Sequence, residues 1–220
     1  MYKLNLIFVF YIALQSAMAQ HILKKEVDAS VKNIEIICGD IDELKLQSID
    51  KNQVWVIMQD AEGQFTGVDI IKQKSKIIIK QKETLPQTQI INKFCVAQPN
   101  FASYLIKIPK NSKVYLKIIS GNLAIKNFVG FANIEMGTGA VLLDDNLGTV
   151  NLKIIDGSVK SFIKNAQVKL ATNLGIIKSS IPALIVDKNK KSLSGIYKNA
   201  YNKLKIAAIK ANIYLEAVKE

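Results

Sequence analysis

The chain has no arginine, one histidine, one tryptophan, two cysteines and four prolines in 220 residues, and each scarcity removes a class of function. All 30 basic residues are lysine, against 18 acids. Arginine's planar fork is the usual reader of guanine edges and phosphates, so its absence argues against nucleic acid as a partner. The sole histidine, His21, lies near the start of the chain and reads as a solvated residue. One histidine cannot build a zinc cluster of several imidazoles, and its position makes a Ser-His-Asp triad implausible. Two cysteines exclude a disulfide-dense scaffold. Cys38 and Cys95 can bridge in an oxidising compartment, or Cys38, set in the strand-like run IEIICGDI, can serve as a small buried hydrophobe. With few prolines and 49% apolar residues the chain is not a disordered one.

Long hydrophobic runs are also missing. The longest candidate, Leu6 to Leu14, is too short to cross about 30 Å of hydrocarbon as a helix. It follows Lys3 and precedes Ala17-Met18-Ala19, the pattern of a secretory signal cleaved between Ala19 and Gln20. Residues 1–19 are therefore set aside from the fold. The expectation is an exported chain located in the periplasm, at the cell surface or outside the cell, with no transmembrane segment in its mature form. Those nineteen residues hold one lysine and no acid, so the formal charge falls only from +12 to +11. Lysines on outward strand positions keep strands soluble and block edge pairing. They also permit loose attraction to an anionic surface, and residues 188–220, with eight Lys and two Glu, are where such a contact is expected.

What is present in quantity is periodicity. Gly121, Gly139, Gly157 and Gly175 recur every 18 residues, with Gly130 and Gly148 half-way between the first three. Apolar columns keep the same register. Leu116, Ile134, Leu152 and Leu170 lie five residues before each glycine; Val114, Ala132, Val150 and Val168 lie seven before. Leu123, Val141, Val159 and Ile177 lie two after. Polar or small residues separate the first two columns, which is the period-two pattern of a strand with one face buried. An 18-residue repeat then supplies two short strands and two turns, and stacking successive coils about 4.8 Å apart buries faces that no single repeat could bury. Turn residues fall where this scheme needs them, at Lys126-Asn127, Asp144-Asp145-Asn146 and Lys164-Asn165.

This pattern predicts an all-β, single-stranded β-solenoid of 18-residue rungs over residues 20–220, as one domain. Residues 20–103 form irregular opening coils and a loop, 104–187 the regular rungs, and 188–220 a basic C-terminal cap. In the opening part Ile34, Ile36, Gly39 and Ile41 repeat the rung spacing, and residues 84–102, with Pro86 and Pro99, read as a loop. Near the end, Leu204, Ile206, Asn212, Ile213 and Leu215 echo Leu116, Ile118, Asn122, Leu123 and Ile125 with two residues inserted, favouring strands over a helix.

The repeat offers little chemistry. Between residues 104 and 186 the only acids are Glu135, Asp144, Asp145 and Asp156, so the carboxylate pair of a glycosidase has no obvious source. Asp144-Asp145-Asn146 could attract calcium, but the adjacent turns carry lysine and asparagine in place of recurring acids. Trp55, in VWVIM, reads as strand packing. No cofactor, metal site or catalytic set is expected.

Residues 106–162, with turns Ser120-Gly121-Asn122, Thr138-Gly139-Ala140 and Asp156-Gly157-Ser158, and Leu174-Gly175-Ile176 beyond, resemble the bacterial putative-adhesin family called domain of unknown function 4097. The resemblance spans residues 31–215 in organisation and is clearest over 104–178, with the family's Ser-Gly-Asp turn varied at each corner. It implies a β-solenoid in the cell envelope and a non-catalytic binding or structural role toward an envelope protein, a glycan or an anionic surface. The alternatives are a polysaccharide-acting β-helix enzyme and a self-assembling scaffold like the bactofilins.

Overall fold

The computed structural model describes residues 21–60, 67–82 and 101–218. The proposed cleavage point Ala19/Gln20, Cys95 and nearly all of the 84–102 loop lie outside these residues. Among the described residues there are strands and turns and no helix. The strands are β1 (His21–Asp28), β2 (Asn33–Ile49), β3 (Gln53–Asp60), β4 (Val68–Lys72), β5 (Ile77–Gln81), β6 (Ser103–Pro109) and β7 (Ser112–Lys126). They continue with β8 (Val129–Asp144), β9 (Leu147–Ile163), β10 (Ala166–Thr172), β11 (Ile177–Ser179), β12 (Ser192–Tyr197), β13 (Lys203–Ala208) and β14 (Asn212–Ala217). All fourteen belong to one mixed sheet.

The middle of the sheet is parallel. β7 pairs with β8 and β8 with β9, and every partner lies 18 residues on, as in Val114↔Ala132↔Val150 and Leu116↔Ile134↔Leu152. Each of these long strands alternates buried and outward residues and then passes a glycine; β8 and β9 alternate again, while in β7 Leu123, Ala124 and Ile125 are all buried. The corners explain the glycines. Gly139 has φ +137° and Gly157 φ +125°, a region closed to L side chains, and a Cβ on either would sit within 1.9 Å of the carbonyl oxygen of the preceding corner glycine. The half-way turns also use left-handed residues, Asn127 at φ 51° and Asp145 at φ 47°.

Both flanks join this stack in ways the repeat does not announce. On one side β2 pairs parallel with β7, but Ile34 meets Val114 and Ile36 meets Leu116, with a register shift between Asp40 and Glu43. The pairing from Asn33 to Asp40 already puts Ile41, not Gly39, at the glycine corner, where its carbonyl is what a Cβ on Gly121 would strike, and the bulge follows at that corner. Beyond β2, β6 continues parallel, followed by antiparallel β3 and β1; β5 and β4 extend the other limb.

On the other side, β9 does not pair with β10. β13 lies between them: Leu204 is opposite Val150 and Val168, and Ile206 opposite Leu152 and Leu170. β14 likewise lies between β9 and β11. Residues 203–217 thus hold strands, as expected, but β13 and β14 are inserted between the third and fourth glycine-marked repeats instead of pairing outside them. Leu204 falls in the Val114 column and Ile206 in the Leu116 column, so the two-residue insertion disappears. Ala211, fully buried, takes the corner between Gly157 and Gly175. Antiparallel β12 then covers β10.

Asparagines fix the inserted coil. The Asn202 side-chain oxygen accepts from the Gly148 N–H at 2.7 Å, while its amide donates to the Asn165 carbonyl at 3.0 Å. Asn212 Oδ1 accepts from the Ile176 N–H at 3.0 Å. Inside, the stacked columns form one apolar cluster, including Ile34, Val114, Ala132, Val150, Leu204 and Val168. Fully burying one such Leu or Ile side chain is worth about 1.5–3 kcal/mol.

Candidate functional site

With the interior filled by ladders, anything the chain recognises must meet its outward rows. On the limb before the glycines one row runs Glu35, Tyr115, Asn133, Asn151, Lys205, Lys169, and the next runs Ile37, Lys117, Glu135, Lys153, Ala207, Ala171. Stacking brings side chains of neighbouring strands together, and several of them pair. Asn151 donates to Asn133 Oδ1 at 3.1 Å, Lys153 meets Glu135 at 3.1 Å, and Lys76 meets Glu35 at 2.6 Å. Such exposed pairs fix the row's order more than its stability.

Where that limb turns into the corner lies a concavity of about 660 Å³. Its edge is formed by Ile119, Ile155 and Ile209, which are 60%, 53% and 45% exposed, and its floor by Met136 and Ile154. Gly137 makes the notch: a Cβ there would lie 2.3 Å from the Ile119 carbonyl oxygen. Three exposed isoleucines on one edge are an apolar patch of the kind that marks contact surfaces. Lys117, Glu135 and Lys153 border it.

Of the repeat's acids Glu135, Asp144 and Asp145 are held by lysines and Asp156 is exposed without an ion pair among the described residues; Glu216 on β14 is also held. Asp145 Oδ2 lies 2.7 Å from Lys164 Nζ, Asp144 lies 4.0 Å from Lys126 Nζ, and Glu216 lies 3.1 Å from Lys160. The turn at 144–146 is closed by Asn146, whose Oδ1 accepts from the Phe128 N–H at 3.2 Å. Among the described residues no group of three or more His, Cys, Asp or Glu side chains is placed to hold a metal ion.

The structure brings Gly121, Gly139 and Gly157 together in one column, at φ between +125° and +137°. Gly175 stands one coil further off, against the Ala211 carbonyl, and without a left-handed φ. Leu116, Ile134 and Leu152 are contiguous, and Ile206 separates Leu152 from Leu170. Cys38 is buried in the column of Ile118, Met136 and Ile154, and desolvation pushes its thiol from 9.0 up to about 12. Because the raised value favours the neutral thiol of the folded state, its contribution is complete below pH 9 and is lost as pH rises from 9 toward 12. Native Cys38 should resist alkylation at pH 8 and react once urea unfolds the chain, as followed by mass spectrometry after reduction. Rapid labelling of folded protein would contradict the burial.

Of the described lysines of 188–220 only Lys203 and Lys205 lie on a strand, β13; Lys188, Lys190, Lys191, Lys198 and Lys210 lie in the connections, and Lys191 is committed to the Gly175 carbonyl. A tighter basic cluster, missed in the sequence, surrounds Trp55 on β3. Lys24 of β1, Lys51 of the β2–β3 turn and Lys107 of β6 place their ammonium groups 4.8, 5.4 and 5.5 Å from the indole centroid. No local motif could show it, since the three lysines come from separate segments that only the β1–β3–β6 pairing unites.

No model of a protein family matches the chain, and no curated protein matches it. Solved structures do. A putative cell adhesion protein from Clostridium sporogenes superposes with a TM-score of 0.63 over 90% of this chain and 100% of that one, at 14% identity. At that identity the match shows a shared fold. A putative adhesin from Bacteroides fragilis covers 91% of this chain and 99% of its own at 7% identity, with a TM-score of 0.33, too low to carry an argument. No helix among the described residues is long and apolar enough to cross a membrane.

Proposed function

We propose that this chain is a non-catalytic, adhesin-like module of the cell envelope, built as a β-solenoid whose 18-residue coils present rigid outward rows to a binding partner. The observation that carries the reading is the fate of the acids: Glu135, Asp144 and Asp145 each lean on a lysine of another coil, and the remaining acid of the region, Asp156, is exposed. Glycoside cleavage needs two acids held about 5–9.5 Å apart around a substrate. A flat ladder of paired side chains suits contact instead. The fold shared with a putative cell adhesion protein and the cadence of residues 104–178 support an adhesin-like assignment. The signal-like residues 1–19 support export, to the periplasm or the surface.

Fractionation of the producing cell tests this in one experiment. The chain should be recovered outside the cytoplasm beginning at Gln20, be retained on envelope polysaccharide or envelope protein, and release no new reducing ends. Polysaccharide cleavage abolished by Asp144→Asn or Asp145→Asn would replace the reading with an enzyme. Recovery as cytoplasmic filaments would replace it with a self-assembling scaffold.

A further inference from the structure

We propose that Trp55, Lys24, Lys51 and Lys107 form a binding site for an acidic saccharide, a carboxylate-bearing sugar polymer. The assignment rests on the binding-module reading and gives it a ligand class and a place. Trp55 lies on the outward face of β3, between Lys107 of β6 on one side and Glu26 of β1 on the other. Three ammonium groups gather within 5.5 Å of its ring centroid, and none has an ion pair among the described residues. The nearby acids Asp50 and Glu43 are engaged by other lysines. Asp50, beside Lys51, is held by Lys110 at 2.7 Å, and Glu43 by Lys45 at 2.7 Å. Glu26, opposite Trp55, is exposed and lies beyond ion-pair distance of all three.

Lys45, Lys110, Lys126, Lys153 and Lys164 each have an acid partner; here three positive charges converge around one ring and repel one another. The negative face of the indole offsets part of that repulsion, and a bridging carboxylate would offset the rest. The indole Nε1–H is shielded from solvent and has no hydrogen-bond partner among the described residues, so it becomes a donor to a ligand oxygen only when the side chains around it move aside. A half-buried aromatic plane beside cations is the combination a uronate sugar uses: its C–H face lies on the ring and its carboxylate meets the ammonium groups. Lysine's compact charge on a flexible stem suits carboxylates spaced along a polymer, where arginine's fixed fork is not required.

Trp55 is the only tryptophan in the chain, so its fluorescence reports on this site alone. The purified chain is titrated with polygalacturonate, with neutral dextran and with phosphatidylglycerol-containing vesicles. The expected result is a saturable change in emission with polygalacturonate, weakened by added salt and absent with dextran. The combined Lys24→Gln, Lys51→Gln, Lys107→Gln variant should lose at least about tenfold in affinity while keeping its melting temperature. Calorimetry on Trp55→Phe should show a comparable loss. Unchanged binding by the triple variant, or equal response to dextran, overturns the site, and a response to vesicles alone replaces the saccharide with an anionic lipid surface. If polygalacturonate is retained while the tryptophan stays silent, the site is wrong and the binding-module reading stands. Cleavage of the polymer would show the reverse failure.

Discussion

Gly139→Ala should cost on the order of 4 kcal/mol or more, a large part of the stability of a domain of this size. Two independent penalties combine. The backbone at φ +137° is one that an L residue rarely adopts, and the added Cβ would stand 1.8 Å from the Gly121 carbonyl oxygen and 2.8 Å from the Met136 side chain. The oxygen belongs to the neighbouring coil, so relief requires the coils to separate and the Ser120–Thr138 and Asn122–Ala140 pairings to open. Gly39→Ala is the control. Its nearest contact is Gln81 Oε1 at 3.6 Å and its φ is not left-handed, so it should cost less than about 1 kcal/mol. Urea unfolding of the two variants separates corner sterics from a generic effect of adding a methyl group in a strand.

Ending the chain at Asn199 should have a still larger effect. It removes β13 and β14, and with them the buried Leu204, Ile206, Ala208, Ala211, Ile213 and Leu215. Six apolar side chains at about 1.5–3 kcal/mol for the larger ones amount to roughly 10 kcal/mol, comparable with a whole domain's stability. A terminal cap could be lost with one edge exposed. Here the loss opens a gap inside the sheet, leaving the facing edges of β9 and β10 unpaired and Asn165 and Gly148 without the Asn202 side chain. Circular dichroism should show no cooperative thermal transition in the shortened chain, and light scattering should show association through the freed edges. A cooperative transition a few degrees lower would contradict the inserted position of this coil.

The sequence made the regular part legible for a physical reason. Side chains of parallel, in-register coils must fit a column, so Val114, Ala132 and Val150 or Leu116, Ile134 and Leu152 carry the geometry in their spacing. The corner glycines and the left-handed turns at Asn127 and Asp145 are legible for the same reason, because few residue types tolerate those backbones. The order of coils in space was not legible. Leu204 lies 54 residues from its partner Val150 and 36 from its partner Val168, both whole multiples of 18. A coil that arrives late and slides between two earlier ones keeps the period intact, so periodicity cannot say which coils touch. The β2 register was hidden because Ile34 and Ile36 fit the Val114 and Leu116 columns as well as the columns that the Gly39 spacing suggests, and the bulge between Asp40 and Glu43 then shifts the second half of the strand by one more residue. The Trp55 cluster was hidden because it depends on pairings between β1, β3 and β6 far apart in the chain.

The central structural claim, that the 203–217 coil lies between β9 and β10 in a parallel stack, is tested most directly by paired cysteines on one outward row. In a chain with Cys38 and Cys95 replaced by alanine, one variant carries Asn151→Cys with Lys205→Cys and another carries Asn151→Cys with Lys169→Cys. Adjacent strands hold Cα atoms about 4.8 Å apart, within disulfide reach, while strands two apart stand near 9.6 Å, beyond it. The stack described here predicts rapid, near-complete oxidation of the 151–205 pair and persistent free thiols at 151 and 169. Oxidation of 151 with 169, and not with 205, would show that the repeats stack in simple chain order and would contradict the account.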